Sequence, residues 1–298
     1  LGGLRVAEEF VGRSDLPQLA LVHEHQHIGQ LAGKGHLVRD QHHGHAATGQ
    51  VFDKHSISNG IVTFYDTSNT PILVTRHEDA AGNAVEITDF CPRFMRDGRA
   101  YRPTAFVRIV RPVAGSPRIR VVLRVSTDWG RATSITMGSN HIRYLMSEQT
   151  LRLTTNAPID HLRLEDHFRV EKPLHFFLGP DESFGGRLDD IVATMLERTA
   201  EEWRLWVRGL ATPLEWQDVV IRAAITLKLC QHEPTGAIVA ALTTSLPEHA
   251  DSGRNWDYRY CWVRDAYYTV QALNRLGALD VLEGYLGYLR NIVDAAKG

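Results

Sequence analysis

Apolar and polar residues alternate with period two from about Ile61 to Gly179, and that pattern predicts β-strands. Ile72–Glu78 and Ala84–Phe90 flank the turn-rich Asp79–Asn83, which suits a hairpin. Thr104–Arg111 and Arg118–Val125 alternate apolar with basic residues, and Gly115 and Ser116 between them predict a second hairpin. His141–Leu145, Thr150–Thr155 and Leu174–Leu178 continue the alternation. Strands with one apolar and one polar face predict an antiparallel β-sandwich solvated on one side. Arg108, Arg111, Arg118, Arg120 and Arg124 occupy polar positions, where a solvated sheet face explains them more simply than an anion-binding face.

The period changes near Pro180. Pro180–Gly186 reads as a linker, and Leu188–Leu210 as a helix with Val192, Leu196, Thr199, Trp203, Trp206 and Leu210 on one apolar face. Asp189 and Asp190 at its start complement the helix dipole. Trp203 and Trp206 are packing residues on this reading. A second helix is predicted with Thr212 as N-cap, Pro213 at its first position and Glu215 closing a capping box; its Val219–Leu229 run is apolar nearly all round. Gly236–Arg254 carries Pro, Gly, Ser and Thr and reads as a long loop, the usual seat of binding residues. Val263–Leu276 is a third helix, stopped by Gly277, and Leu279–Ala296 a fourth, with Leu282, Leu286, Leu289 and Val293 along one face.

The pattern thus gives an α+β, multidomain chain: an unusual segment 1–60, a β-sandwich 61–179, a linker helix in 180–212 and a helical region 213–298. A length of 298 residues accommodates one large or two ordinary domains, and 43% hydrophobic with 23% charged residues is ordinary for a soluble globular protein. A formal charge of −2 argues against general attraction to nucleic acid or anionic membrane. Cys91, Cys230 and Cys261 have neither zinc-site nor disulfide-framework spacing, so buried free thiols are expected, with no metal and no cofactor. No apolar run is long enough to span a bilayer and no secretory leader is visible, which makes a cytoplasmic location the expectation. The chain begins with Leu, so a lost leader stays open.

The first fifty residues stand apart. His23, His25, His27, His36, His42, His43 and His45 crowd there among Gly and polar residues, without clear periodicity beyond Leu19–Ile28. Imidazoles so spaced suit zinc, copper or nickel; a solvated, poorly ordered segment is the plainer reading. A misread frame or a gene fusion would also account for it.

The richest chemistry lies in Gly253–Tyr268, GRNWDYRYCWVRDAYY. Aromatic faces cover the apolar side of a sugar, while Arg and Asp address its hydroxyls with directional bonds. An aromatic helix start packed against a neighbour is the competing reading. Together with Thr235–Glu248, TGAIVAALTTSLPE, this stretch resembles the first barrel segment of glycoside hydrolase family 15, which contains glucoamylases, glucodextranases and bacterial trehalases. The resemblance runs from about Asn69 onward and is densest over Pro213–Val293; the first fifty residues do not share it.

The resemblance implies an N-terminal β-sandwich followed by an (α/α)6 barrel, of which this chain would hold the first three helices. It implies that Arg264 and Asp265 grip hydroxyls of a terminal glucosyl unit, that Trp262 and Tyr258 line the same subsite, and that Trp256, Asp257 and Arg254 shape the pocket. The family takes its acid and base glutamates from loops after later barrel helices, so a truncated chain is expected, without catalytic residues and with little or no turnover of its own. Glu248 and Asp257 lie in the binding loop and match neither role. The partner implied is an α-glucoside or α-glucan oligosaccharide; trehalose, maltodextrin and isomaltodextrin are not distinguished. Exposed barrel helices would favour self-association. A non-catalytic carbohydrate-binding protein, a histidine-rich metal-binding module and an inactive pseudogene product remain the alternatives.

Overall fold

A computed structural model describes residues 61–66, 69–123, 125–127, 131–132, 134–146, 149–242, 249 and 252–296. The described residues up to Leu205 form one compact unit and those from Trp206 another. No helix among them is long and apolar enough to cross a membrane.

The first unit is built on an eight-stranded antiparallel sheet. Its strands are β1 (Ile61–Asp66), β2 (Leu73–Glu78), β3 (Ala84–Phe90), β6 (Phe106–Ala114), β10 (Ser134–Met137), β11 (His141–Leu145), β12 (Thr150–Thr155) and β14 (Leu174–Pro180), in the order β1-β2-β3-β6-β14-β12-β11-β10. Small ribbons pair β4 (Phe94–Arg96) with β5 (Arg99–Tyr101), β7 (Arg118–Ile119) with β13 (Phe168–Arg169), and β8 (Ser126–Thr127) with β9 (Arg131–Ala132). A single short helix, α1 (Ile159–Leu164), follows β12. The β2–β3 hairpin forms where its turn chemistry placed it: Asp79 Oδ1 accepts the N–H groups of Ala81 and Asn83, both at 2.9 Å.

The second expected hairpin does not form. β6 has β3 on one side and β14 on the other, so Arg118–Ile119 pairs with β13 instead. The reason is apolar content: β14 is buried along Leu174–Gly179 and takes the central place, while the arginine-rich 118–123 run stays outside the large sheet. The arginines of β6 also differ from a plain solvated face. Arg108 stands opposite Asp89 and Arg111 opposite Glu86 in the β3–β6 register, and each makes an ion pair there. Arg124 lies outside the described residues.

The layer that covers one face of this sheet is a helix. α2 (Leu188–Arg208) sets Val192, Met195 and Ala200 against Ile72, Phe90, Phe94, Val107 and Phe177. Thr199, also buried, accepts the Arg93 N–H at 3.1 Å, and the Arg93 guanidinium lies 4.3 Å over the Trp203 ring. Trp203 is buried, in keeping with a packing role. The alternation therefore yields the antiparallel sheet, and the described residues hold one large sheet, not two.

The second unit contains α3 (Gln217–Leu229), the ribbon β15 (Gln231–His232) with β16 (Ala237–Ile238), α4 (Val263–Arg275) and α5 (Leu279–Ala296). Ala224, Ile238, Ala266, Val270, Leu273, Val281, Tyr285 and Tyr288 make its core, with Trp206 packed at the edge. Helix α3 does not begin at Pro213. Trp216 sits in the left-handed region (φ 58°), which breaks helical geometry before Gln217, and the Thr212 hydroxyl accepts from the Gln217 side chain at 3.0 Å, so the expected capping box is absent. The helix buries one face, Ile221, Ala224, Ile225 and Lys228, and exposes Val219 and Leu229.

α4 and α5 start and end where the pattern placed them, with Gly277 at φ 81° just past α4. The buried face of α5 is Val281, Tyr285 and Tyr288, flanked by Leu282 and Leu289; Leu286 and Val293 point to solvent. The tyrosines win because α5 packs against α4 and the β15–β16 ribbon on that side.

Candidate functional site

The Gly253–Tyr268 stretch enters α4 from an irregular strap that turns at Tyr258–Arg259. Trp262 caps the helix in an extended conformation (φ −72°, ψ 121°), and its carbonyl accepts the Ala266 N–H at 2.9 Å. Ala266 beneath it is fully buried, which holds the first turn of α4 on the core. An antiparallel run of chain supports the strap: Ala240 and Ala241 donate their N–H groups to the carbonyls of Tyr260 (3.1 Å) and Tyr258 (2.8 Å). One step earlier, Val239 donates to the Cys230 carbonyl at 3.0 Å. The loop expected over Gly236–Arg254 thus begins with ordered backbone pairing.

Arg264 and Asp265 project from the first turn of α4. Arg264 Nη2 lies 3.2 Å from Asp265 Oδ2, with the arginine side chain 73% exposed and the aspartate 32%. Asp265 also sits where a negative charge complements the helix dipole. Trp256, Tyr260 and Trp262 are exposed and Tyr258 is half-buried. Arg254 is exposed, its N–H donating to Ser252 Oγ at 3.1 Å.

Asp257 is placed differently. Arg259 Nε reaches its Oδ1 at 2.8 Å and Nη2 its Oδ2 at 2.7 Å, and the Arg259 N–H donates to Oδ1 as well, at 3.0 Å. The arginine side chain is 6% exposed. Both oxygens of Asp257 are engaged, so this carboxylate fixes the strap. Sequence reasoning passed over Arg259; its two-residue spacing from Asp257 was the signal.

Beneath the strap the thiols and phenols are held neutral. Burial raises the Cys261 thiol, partly offset by hydrogen bonds from Tyr288 and the Ile238 backbone, and burial raises Tyr288 above its ordinary value. The Cys230 thiol is pushed up to about 11 by burial. These groups serve packing at neutral pH. Glu248 and the histidines His23, His25, His27, His36, His42, His43 and His45 lie outside the described residues. Among the described residues no group of His, Cys, Asp and Glu is placed to hold a metal ion.

Exposed aromatics beside an Arg–Asp pair, on a strap anchored by backbone bonds and a buried fork, form an arrangement suited to a polyhydroxylated ligand. Residues 216–297, which contain all of it, match the model of glycosyl hydrolases family 15. Individual trehalases are similar to parts of the chain. A trehalase of Mycolicibacterium smegmatis is 34% identical over 161 residues, 51% of this chain and 24% of that protein. A trehalase of Thermoplasma volcanium is 43% identical over 82 residues, 28% of this chain and 13% of that protein. Trehalase 1 of Sulfolobus acidocaldarius is 26% identical over 235 residues, 75% of this chain and 36% of that protein. The chain therefore spans about a quarter or less of the length of the first two relatives. No solved structure gives a significant match.

Proposed function

We propose that residues 254–265 hold a glucosyl unit of an α-glucoside, with trehalose as the first candidate, as part of a trehalase-like glycoside hydrolase. The observation that carries this reading is that the family 15 match covers the whole strap on which the exposed Arg264–Asp265 pair stands. Arg264 and Asp265 address sugar hydroxyls, for which a planar guanidinium and a carboxylate offer complementary donors and acceptors. Trp262 and Tyr258 offer aromatic faces to the C–H side of the ring, and Trp256 and Arg254 shape the rim. Asp257 acts through Arg259 and shapes the strap.

Glycosidic cleavage uses one protonated and one ionised carboxyl group. Asp257 and Asp265 each have an arginine partner, so neither is assigned an acid or base role. The reading is of ligand holding, with exo-acting hydrolysis as the activity of the enzyme this segment serves.

Calorimetric titration of the chain with trehalose, maltose and isomaltose tests it. Trehalose binding that is lost in both R264A and D265N is the expected result. Absence of binding to all three sugars, or binding indifferent to both substitutions, would remove the assignment.

A further inference from the structure

The last turn of α3 buries an ammonium. The Lys228 side chain is 2% exposed, and Nζ lies 2.8 Å from Gln231 Oε1, 2.9 Å from Glu233 Oε1 and 2.9 Å from Asp280 Oδ2. An ammonium has three N–H donors, so the three acceptors match it. They come from different places: Gln231 from β15, Glu233 from the turn that follows, and Asp280 from the first turn of α5. The lysine thus ties α3, the turn and α5 at one point.

That turn is held closely on α5. The His232 carbonyl accepts the N–H groups of Thr235 (3.2 Å) and Gly236 (2.8 Å). Gly236, at φ 78°, lies so near Gly284 of α5 that a Cβ would overlap the Gly284 carbonyl oxygen. From Gly236 the chain passes directly through β16 to Ala240 and Ala241, whose N–H groups support Tyr260 and Tyr258. A few residues of backbone, the strand Ala237–Ile238 and Val239, separate the lysine-bound turn from the underside of the strap.

We propose that Lys228 is a positioning residue for the glucosyl-holding strap: its ammonium fixes the Gln231–Gly236 turn on α5 and thereby sets where Ala240 and Ala241 hold Tyr260 and Tyr258. The sugar part of this inference rests on the function proposed above; the mechanical part does not. A buried lysine whose role was confined to general stability would respond throughout the unit, whereas a positioning lysine acts selectively along the turn and the strap support.

Amide hydrogen exchange on the whole chain, paired with trehalose titration, separates these cases for wild type, K228M and E233Q. K228M keeps the alkyl volume and removes the charge. The expected result is exchange roughly tenfold faster at Ala240 and Ala241 in K228M, less in E233Q, with Val270 and Leu273 of α4 unchanged. Trehalose affinity should fall alongside by roughly tenfold. Unchanged Ala240 and Ala241 amides, or equal acceleration across the unit, would overturn the proposal. If K228M does not fold, E233Q decides on the same amides. If the wild type binds no trehalose while those amides respond selectively, the positioning role stands and the glucosyl reading falls.

Discussion

Arg259 and Asp257 are locked together two residues apart, the guanidinium fork closing on both carboxylate oxygens at 2.8 and 2.7 Å. The arginine is buried and the aspartate side chain stays 29% exposed, so the pair lies between a surface bridge and a core one. It ties down the strap that displays Tyr258 and Trp262.

Replacing the fork is therefore expected to cost stability. Arg259→Lys loses bidentate geometry and places a hydrated ammonium where a flat guanidinium fitted. We expect a loss of about 2–3 kcal/mol, below the 3–5 typical of breaking a fully buried pair because Asp257 keeps contact with water. Urea denaturation reads it; a change under about 0.5 kcal/mol would mean that the clamp contributes little.

Arg264→Ala should behave in the opposite way. Its side chain is largely exposed and its bond to Asp265 is a single contact of 3.2 Å, so stability should change by less than about 0.5 kcal/mol. Trehalose affinity should drop by about tenfold or more, since charged hydrogen bonds to ligand are worth about 1.5–3 kcal/mol. Thermal melting and calorimetry on the same sample distinguish the two effects.

Glycine substitutions separate space from backbone strain. Gly236→Ala meets both a left-handed φ of 78° and the Gly284 backbone, and should cost at least about 3 kcal/mol or prevent folding. Gly277→Ala has a similar φ of 81° but open space around it, and should cost only about 1 kcal/mol. Equal melting temperatures for the two variants would contradict the close approach of the 231–236 turn to α5.

Stability should fall with acid in a way that His77 partly explains. Burial, and after it the Arg108 guanidinium, hold the His77 imidazole below its ordinary 6.5, while Asp89 pulls the other way. The unfolded chain then takes up a proton at higher pH than the folded one. The contribution is complete above about pH 6.5 and is lost as pH falls through that value toward the folded pKa. His175 and His232 are lowered by burial too and add the same sign. His77→Gln should flatten, without abolishing, the loss of stability between about pH 7 and 5; denaturation midpoints across that range test it, and an unchanged slope would exclude His77.

The sequence by itself determined the elements whose signal is local. β2, β3, β11 and β12 follow period-two alternation, and the Asp79–Asn83 turn carries its own side-chain bonds. α2, α4 and α5 follow helical spacing, with Gly277 as the stop. The strap was legible because its residue types are unusual and densely ordered, which is also why a family resemblance attached to it.

Tertiary structure alone decided the matters that depend on a distant competitor. β6 could pair with the 118–125 run or with β14, and burial of Leu174–Gly179 settled it. α3 lost its expected cap because Trp216 adopted a left-handed conformation, and α5 turned Tyr285 and Tyr288 inward in place of Leu286 and Val293. Neither Arg259 nor Lys228 stood out in the sequence. Asp257 stands two residues from Arg259 in the sequence, but the burial of Arg259 against it, and the reach of Lys228 to Asp280 on α5, were decided by folding, because a charge is buried only where the fold supplies its counter-charge.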